Sequence, residues 1–165
     1  NCPKDDYATL GTCLHNMFAV YDPEQDESIT AKVSSRIAES YGMNEVLNDI
    51  QSIITSISNL YKFLVEKYGK GSAYKEYPFK SRNANGQIVG GSIDLLWRTD
   101  NGVVVIDYKN YPGYDDVTNP ESEFYAGKYG PQLSAYRDVA NMMSEGNVKD
   151  VLIYYSVQGR LVRTK

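Results

Sequence analysis

The stretch GSIDLLWRTDNGVVVIDYK, residues 91–109, decides the fold of this chain. It holds two apolar runs rich in β-branched residues, 93–97 and 103–106, and both runs favour strands. Asn101-Gly102 lies between them and is the strongest short-range signal for a type I′ hairpin turn, which needs positive φ at both central residues. The sequence therefore predicts two antiparallel strands joined by a two-residue loop.

Each of these strands carries a carboxylate, Asp94 inside the first and Asp107 at the end of the second. If Asp100 pairs with Val103, Asp94 lies opposite Lys109 and diagonal to Asp107, at a backbone separation of about 7–8 Å. A four-residue loop would also keep the three side chains on one face. A three-residue loop would turn Asp94 to the other face.

Two carboxylates and a lysine at one strand end suit metal-assisted phosphodiester hydrolysis, because a metal bound by hard oxygen ligands activates water there. The alternative interpretation is a solvated edge pair of Asp107 and Lys109, with Asp94 on the surface. The position of Asp94 inside an apolar run disfavours that alternative, because a buried carboxylate is costly unless it is paired or binds a metal.

Length and composition indicate one globular domain, with 165 residues, 42% hydrophobic and 23% charged. The net charge of −4 excludes a generally basic surface, so nucleic-acid binding must be local or assisted by a partner. No run reaches the roughly 18 apolar residues of a membrane span. Cys2 and Cys13 lack the spacing of a metal site, and a disulfide between them stays open. We interpret the chain as an excerpt of a longer cytoplasmic protein, without a signal-like segment.

Three helices are predicted in the first part of the chain, over residues 5–20, 29–40 and 44–68. Ser28 and Asn44 are the expected N-caps of the second and third helices, and Gly69 is the expected stop.

His15 is the only histidine, and it lies one residue off the apolar stripe of the first helix. A lone histidine is more often a packed or surface residue than a ligand. Its neutral imidazole can nevertheless coordinate a metal.

The remaining elements are two strands, a loop and a helix. A strand is predicted over 73–80, where Pro78 implies an edge or a bulge. The polar stretch 110–130 is predicted as a long loop, followed by a helix from Pro131 to about 144 and a strand over 151–157. A turn should then let 160–163 pair back.

Five motifs, each weak alone, occur here in one order and spacing. They are Gly11-Thr12-Cys13-Leu14-His15, Glu76-Tyr77-Pro78-Phe79, Gly91-Ser92-Ile93-Asp94, Asp107-Tyr108-Lys109 and Gln132-Leu133-Ser134-Ala135-Tyr136. This order resembles the nuclease domain of RecB/AddA-type proteins in the PD-(D/E)XK superfamily, as found at the C-terminus of UvrD/Rep-like helicase–nucleases.

The resemblance implies an α/β fold with a three-layer, restriction-endonuclease-like core, in which helices flank a mixed central sheet. Residues 1–165 would form a single nuclease domain, an excerpt from the C-terminus of a longer helicase–nuclease. Within it, 1–70 would be a helical part carrying His15, and 71–165 the catalytic core.

The resemblance also implies roles for particular residues. Asp94, Asp107 and Lys109 would be catalytic, with the lysine orienting or helping to deprotonate the attacking water. The metal ligands would be His15, Asp94, Asp107 and the Tyr108 carbonyl. Residues that support the site or contact DNA would be Glu76, Gln132 and Tyr136. Magnesium is the expected ion and manganese a substitute; no iron–sulfur cluster is expected, because such clusters in relatives need four cysteines.

The implied function is metal-dependent hydrolysis of DNA in end processing, recombination and repair, by an exonuclease acting on a single strand. A helicase domain of the same chain would feed that strand, and a second helicase–nuclease subunit is a possible partner. The alternative is a nuclease-like module that has lost catalysis and only binds DNA. No Gly-x4-Gly-Lys-Ser/Thr loop occurs, so this piece should not hydrolyse ATP itself. The acidic stretch after Asn110 is unusual for a DNA-facing surface.

Overall fold

A computed structural model describes residues 7–43, 48, 50–82, 86–109, 123–143, 147–157 and 159–163. These residues form four helices and five strands. In chain order they are α1 (Tyr7–Val20), α2 (Glu27–Ser40), α3 (Ile50–Tyr68), β1 (Gly71–Arg82), β2 (Ile88–Thr99), β3 (Gly102–Lys109), α4 (Glu123–Met143), β4 (Val148–Tyr155) and β5 (Arg160–Arg163).

The five strands form one mixed sheet in the order β1-β2-β3-β4-β5. β3 and β4 are parallel, whereas the other three neighbouring pairs are antiparallel. A parallel pair needs a crossover connection, and α4 lies in it. β1 is an edge strand, the position that Pro78 predicts, and Pro78 lies opposite Ser92 of β2.

Two apolar clusters cover the two faces of the sheet. The first cluster joins α1, α2 and α3 to side chains of β2, β3 and β4, including Leu95, Trp97 and Tyr108. The second cluster joins α4 to the opposite face, including Ile93 and Val105. The result is the predicted α/β arrangement of helices on both sides of a mixed sheet. Within the part of the chain that the structure describes, no helix has the length and apolar character of a membrane span.

Helices α1 and α2 begin within two residues of their predicted starts, whereas α3 begins at Ile50 and the described residue 48, inside the predicted helix, is not helical. The predicted cap of α2 is also wrong. Asp26, not Ser28, is the N-cap, and its carboxylate accepts a hydrogen bond from the Ser28 backbone N–H. Gly69 ends α3 as predicted, with φ of +94°. Asn44, the predicted cap of α3, lies outside the described residues.

The helix predicted from Pro131 begins eight residues earlier, at Glu123, so part of the predicted loop 110–130 is helical. Gly127, Gly130 and Pro131 have poor helix propensity, and this misled the sequence reading. Packing outweighs propensity here, because Tyr129 lies against the second cluster. Residues 110–122 lie outside the described part.

The predicted register of the β2–β3 hairpin is also wrong. Thr99 pairs with Gly102, so the loop is Asp100-Asn101 rather than Asn101-Gly102. Gly102 has φ of +133°, and a Cβ there would lie 2.3 Å from the Asn147 carbonyl oxygen. The glycine is needed for this close approach and not for a type I′ turn. Continued from Leu95 opposite Ile106, the observed register brings Asp94 opposite Asp107 instead of Lys109.

Strand bounds differ by a few residues. β1 and β2 are longer than predicted, while β4 begins and ends earlier, so Val157 lies outside it. β5 pairs back on β4 as expected.

Candidate metal centre and active site

Strands β1 and β2 change faces at Glu76 and Asp94. Regular alternation would place Ile93 and Leu95 on one face, yet Ile93 packs in the second cluster and Leu95 in the first. On β1, Glu76 has φ of +47°, the one positive value outside glycine among the described residues. Strain of this kind concentrates at functional sites. The direction of the Asp94 side chain therefore follows from this change of face, and not from the regular strand alternation on which its predicted position depends.

Asp94 is 8% exposed and contacts two other elements. Its Oδ2 accepts a hydrogen bond from the Tyr108 backbone N–H at 2.6 Å. Its Oδ1 lies 3.8 Å from Nδ1 of His15, which α1 brings to the end of β3. Burial, and then the neighbouring charge of Asp107, raises the pKa of Asp94 to about 7.

The ring nitrogen of His15 that faces Asp94, Nδ1, carries a lone pair and no proton. The other ring nitrogen, Nε2, lies 3.1 Å from the Tyr108 carbonyl oxygen. A carbonyl only accepts, so Nε2 carries the proton and Nδ1 is the unprotonated nitrogen. Burial lowers the pKa of His15, which favours this neutral form. Two acceptor atoms thus face each other 3.8 Å apart, an arrangement that suits a shared cation.

Glu76 lies beside this pair. One ligand atom each from His15, Glu76 and Asp94 can be chosen within 4.8 Å of one another. The Ser92 hydroxyl donates a hydrogen bond to Glu76 Oε2 at 2.9 Å. The sequence assigned Glu76 only a supporting place, whereas the structure groups it with His15 and Asp94.

Asp107 is fully buried, and burial raises the pKa of its carboxyl group against the opposing effect of Lys109. Lys109 Nζ lies 2.6 Å from Oδ2. Oδ1 has no hydrogen-bond partner among the residues that the structure describes. An unpaired buried oxygen is costly, and a metal ligand bond would offset that cost.

Lys109 connects Asp107 to α4. Its ammonium lies 3.4 Å from Gln132 Oε1, and Gln132 Nε2 donates to the Tyr136 hydroxyl at 2.6 Å. The structure thus brings Gln132 and Tyr136 to the lysine as one network, one helical turn apart.

Two residues of this region were missed by the sequence reading. The Tyr129 ring centroid lies 4.8 Å from Lys109 Nζ, and Ser156 donates from its backbone N–H and its hydroxyl to the Lys109 carbonyl oxygen. Tyr129 lies three residues before Gln132, a helical spacing that the predicted loop concealed. Ser156 follows β4, and only the parallel pairing of β3 with β4 brings it here.

Phe79 and Gly91 are two motif residues that do not reach the site, and the position of the Phe79 ring accounts for both. This ring packs edge-on to Tyr136, with centroids 5.5 Å apart. A Cβ on Gly91 would lie 3.2 Å from this ring. Gly91 therefore leaves room for Phe79 to support Tyr136.

An open groove of about 350 Å³ reaches this region from α1. Its lining residues are Ala8, Gly11, Thr12, His15, Asn16 and Glu76. His15 and Glu76 are thus reachable from solvent along a wall of small, uncharged side chains.

Curated relatives of this chain are named as subunits of an ATP-dependent helicase/nuclease. The one from Bacillus cytotoxicus is 27% identical over 173 aligned positions, covering 90% of this chain and 14% of the relative. The one from Alkaliphilus oremlandii is 23% identical over 168 positions, covering 89% and 13%. The one from Clostridium perfringens strain 13 is 25% identical over 134 positions, covering 67% and 10%. The chain therefore spans about a tenth to a seventh of the length of these relatives.

A family-wide comparison covers nearly the whole chain. The sequence model of the PD-(D/E)XK nuclease superfamily matches residues 3–164. That match includes every element of the sheet and all the side chains described above. The chain belongs to the PD-(D/E)XK nuclease superfamily.

Proposed function

We propose that this chain hydrolyses phosphodiester bonds of DNA with the help of a divalent metal ion. The observation that carries the proposal is the buried Asp107 carboxylate, with one oxygen paired to Lys109 and the other unpartnered within the described residues. Membership of a nuclease superfamily gives this arrangement its chemical context.

His15, Glu76 and Asp94 can offer one ligand atom each within 4.8 Å of one another, and Asp107, opposite Asp94 in the continued register, would complete the donor set of such an ion. Their carboxylate oxygens are the ligands that Mg²⁺ and Mn²⁺ prefer, and the neutral imidazole of His15 adds a nitrogen ligand of a kind common in metal sites. The Tyr108 carbonyl keeps a second lone pair beside the one used by His15, so it remains available as a further ligand. Magnesium is the proposed ion and manganese a substitute. When bound, such an ion lowers the pKa of water and offsets charge on the phosphate.

Lys109 would act on the attacking water and on the charge that develops at the phosphate. Its ammonium lies beside Asp107, and the side chain as a whole is 18% exposed, so it is reachable from solvent without leaving its partners. A preorganised cation at this point stabilises the developing negative charge. Gln132, which is exposed and lies next to the lysine, would contact the DNA backbone, and the buried Tyr136 would support Gln132 through its hydroxyl.

The proposed substrate is a DNA strand delivered by a motor. The relatives are named as helicase/nuclease proteins, and the chain matches only a small part of each, so the rest of such a protein has room for a helicase. We propose exonuclease action on a single strand in DNA repair and recombination. The proposed partners are a helicase domain of the same polypeptide and a second helicase–nuclease subunit.

The test is a cleavage assay on DNA labelled at either end, single- and double-stranded, with magnesium, manganese or chelator. We expect cleavage that needs metal and is lost, by at least about a hundredfold, in Asp107→Asn and Lys109→Ala. Asp138→Asn, an exposed carboxylate on α4, is the matched control and should cut like the parent.

Three outcomes separate the candidate functions. Shortening from one labelled end indicates an exonuclease, and internal cuts indicate an endonuclease. Metal-independent DNA binding without any cleavage, unaffected by Asp107→Asn, would instead support the inactive binding module.

A further inference from the structure

Lys109 is the last residue of β3, so the strand fixes its backbone. The strand does not fix its side chain, whose position depends on other contacts. A lysine side chain has high rotamer entropy, and a productive site must hold its ammonium in one place. Asp107 and Gln132 contact the ammonium through oxygen atoms at 2.6 and 3.4 Å. The longer of these contacts is weak, so the two oxygens alone do not define the position of Nζ.

Tyr129 provides the third contact. Its ring centroid lies 4.8 Å from Nζ, within the range in which an aromatic face attracts a cation. Tyr129 and Gln132 are three residues apart on α4 and hence on one face of the helix. The ring is half-buried and packs against the second cluster, which limits its own movement.

We propose that Tyr129 is a positioning residue for Lys109. It holds the ammonium beside Asp107 through the face of its ring, so the ring and not the hydroxyl is required. The consequence for cleavage depends on the proposed function, whereas the effect on the lysine side chain does not.

The experiment compares Tyr129→Phe, which keeps the ring, with Tyr129→Leu, which removes it. Tyr129→Met is a second ring-free variant in case the leucine variant does not fold, as checked by thermal unfolding. The first readout is the order parameter of the Lys109 Cε–Hε bonds, measured by carbon-13 relaxation in metal-free protein. We expect the phenylalanine variant to match the parent and the ring-free variants to show a clearly lower order parameter.

The second readout is cleavage of labelled DNA. The ring-free variants should lose about tenfold in kcat with little change in KM, and the phenylalanine variant should recover the parent value. Phe63→Leu is the matched control, because Phe63 also lies under a lysine, with its centroid 5.3 Å from Lys67 Nζ, but on α3. It should change neither readout.

An unchanged Lys109 order parameter in a folded ring-free variant would overturn the inference. So would an equal loss in the phenylalanine variant, since that would assign the effect to the hydroxyl. If the parent cuts no DNA but the order parameter falls as expected, the proposed function fails while the positioning role stands.

Discussion

The negative charge of Asp94 opposes folding, because the carboxylate is buried beside Asp107. Its pKa is raised from 3.8 to about 7 by burial and by Asp107, and a shift of this size corresponds to roughly 4 kcal/mol at most. Asparagine keeps the acceptor for the Tyr108 N–H and removes the charge. We expect Asp94→Asn to raise the unfolding free energy of metal-free protein at pH 8 by about 1–4 kcal/mol, measured by urea denaturation. Asp138→Asn should change it by less than about 0.5 kcal/mol. A destabilised asparagine variant would show that the charge is already compensated.

The same residue gives a pH dependence. A carboxyl whose folded pKa is raised favours folding in its protonated form, so this contribution is complete below pH 3.8 and is lost as the pH rises through about 7. The stability of the parent relative to Asp94→Asn should therefore fall between about pH 4 and 8 in chelator. Thermal unfolding of both proteins across this range measures the difference, and a flat difference would contradict the shift.

At the scale of elements, the hairpin of β2 and β3 shows why its register was not predictable from its own sequence. Gly102 is used for contact with Asn147, which is distant in sequence, and the Asn147 carbonyl also accepts a hydrogen bond from the Val103 N–H at 3.0 Å. The Asn101-Gly102 pattern predicts a hairpin, and a hairpin forms. The alignment of its strands depends on a partner that a local pattern does not contain.

This contact makes a prediction for Gly102→Ala. The new Cβ would lie 2.3 Å from a backbone oxygen at φ of +133°, so we expect a loss of more than about 2 kcal/mol in unfolding free energy. Gly86→Ala is the matched control, because Gly86 has φ of +78° but nothing within 4 Å of a new Cβ. It should lose only about 1 kcal/mol. Equal losses in urea denaturation would assign the whole effect to φ.

A second element-scale tie joins α3, β4 and β5. Asp150 is nearly buried; it accepts a hydrogen bond from the Tyr68 hydroxyl at 2.6 Å and pairs with Arg163. The arginine side chain is largely exposed, so its share of the stabilisation is small. Asp150→Ala should cost about 1–3 kcal/mol and Tyr68→Phe about 1 kcal/mol, measured by urea denaturation. A larger loss in Tyr68→Phe would contradict this order.

At the scale of the whole molecule, the sequence predicts the layers of the fold better than it predicts the candidate site. Helical and strand periods along the chain predict a mixed sheet between helices. Each period depends on many apolar residues, so a wrong interpretation of one residue does not change the predicted layer. The site depends on a few non-local events. The face change at Glu76 and the early start of α4 determine where Glu76 and Tyr129 lie, and neither event has a signal in the local pattern. The carboxylates Asp94 and Asp107 could be singled out because their charge conflicts with the apolar runs around them.

Side chains from α1, the sheet and α4 meet at the candidate site, and this predicts how metal changes the stability of the whole molecule. An ion that binds only the folded chain stabilises it by about 2.7 kcal/mol at a concentration of roughly 100 times its Kd. We therefore expect millimolar magnesium or manganese to raise the Tm of the parent at pH 8. The shift should shrink towards pH 6, because protons compete for Asp94 below about pH 7. His15→Ala and Asp107→Asn should abolish it, whereas Asp138→Asn should keep it. If neither metal changes the Tm of the parent, the proposed mechanism does not include the ion. If His15→Ala shows the same Tm shift as the parent, α1 contributes no ligand to the proposed metal centre.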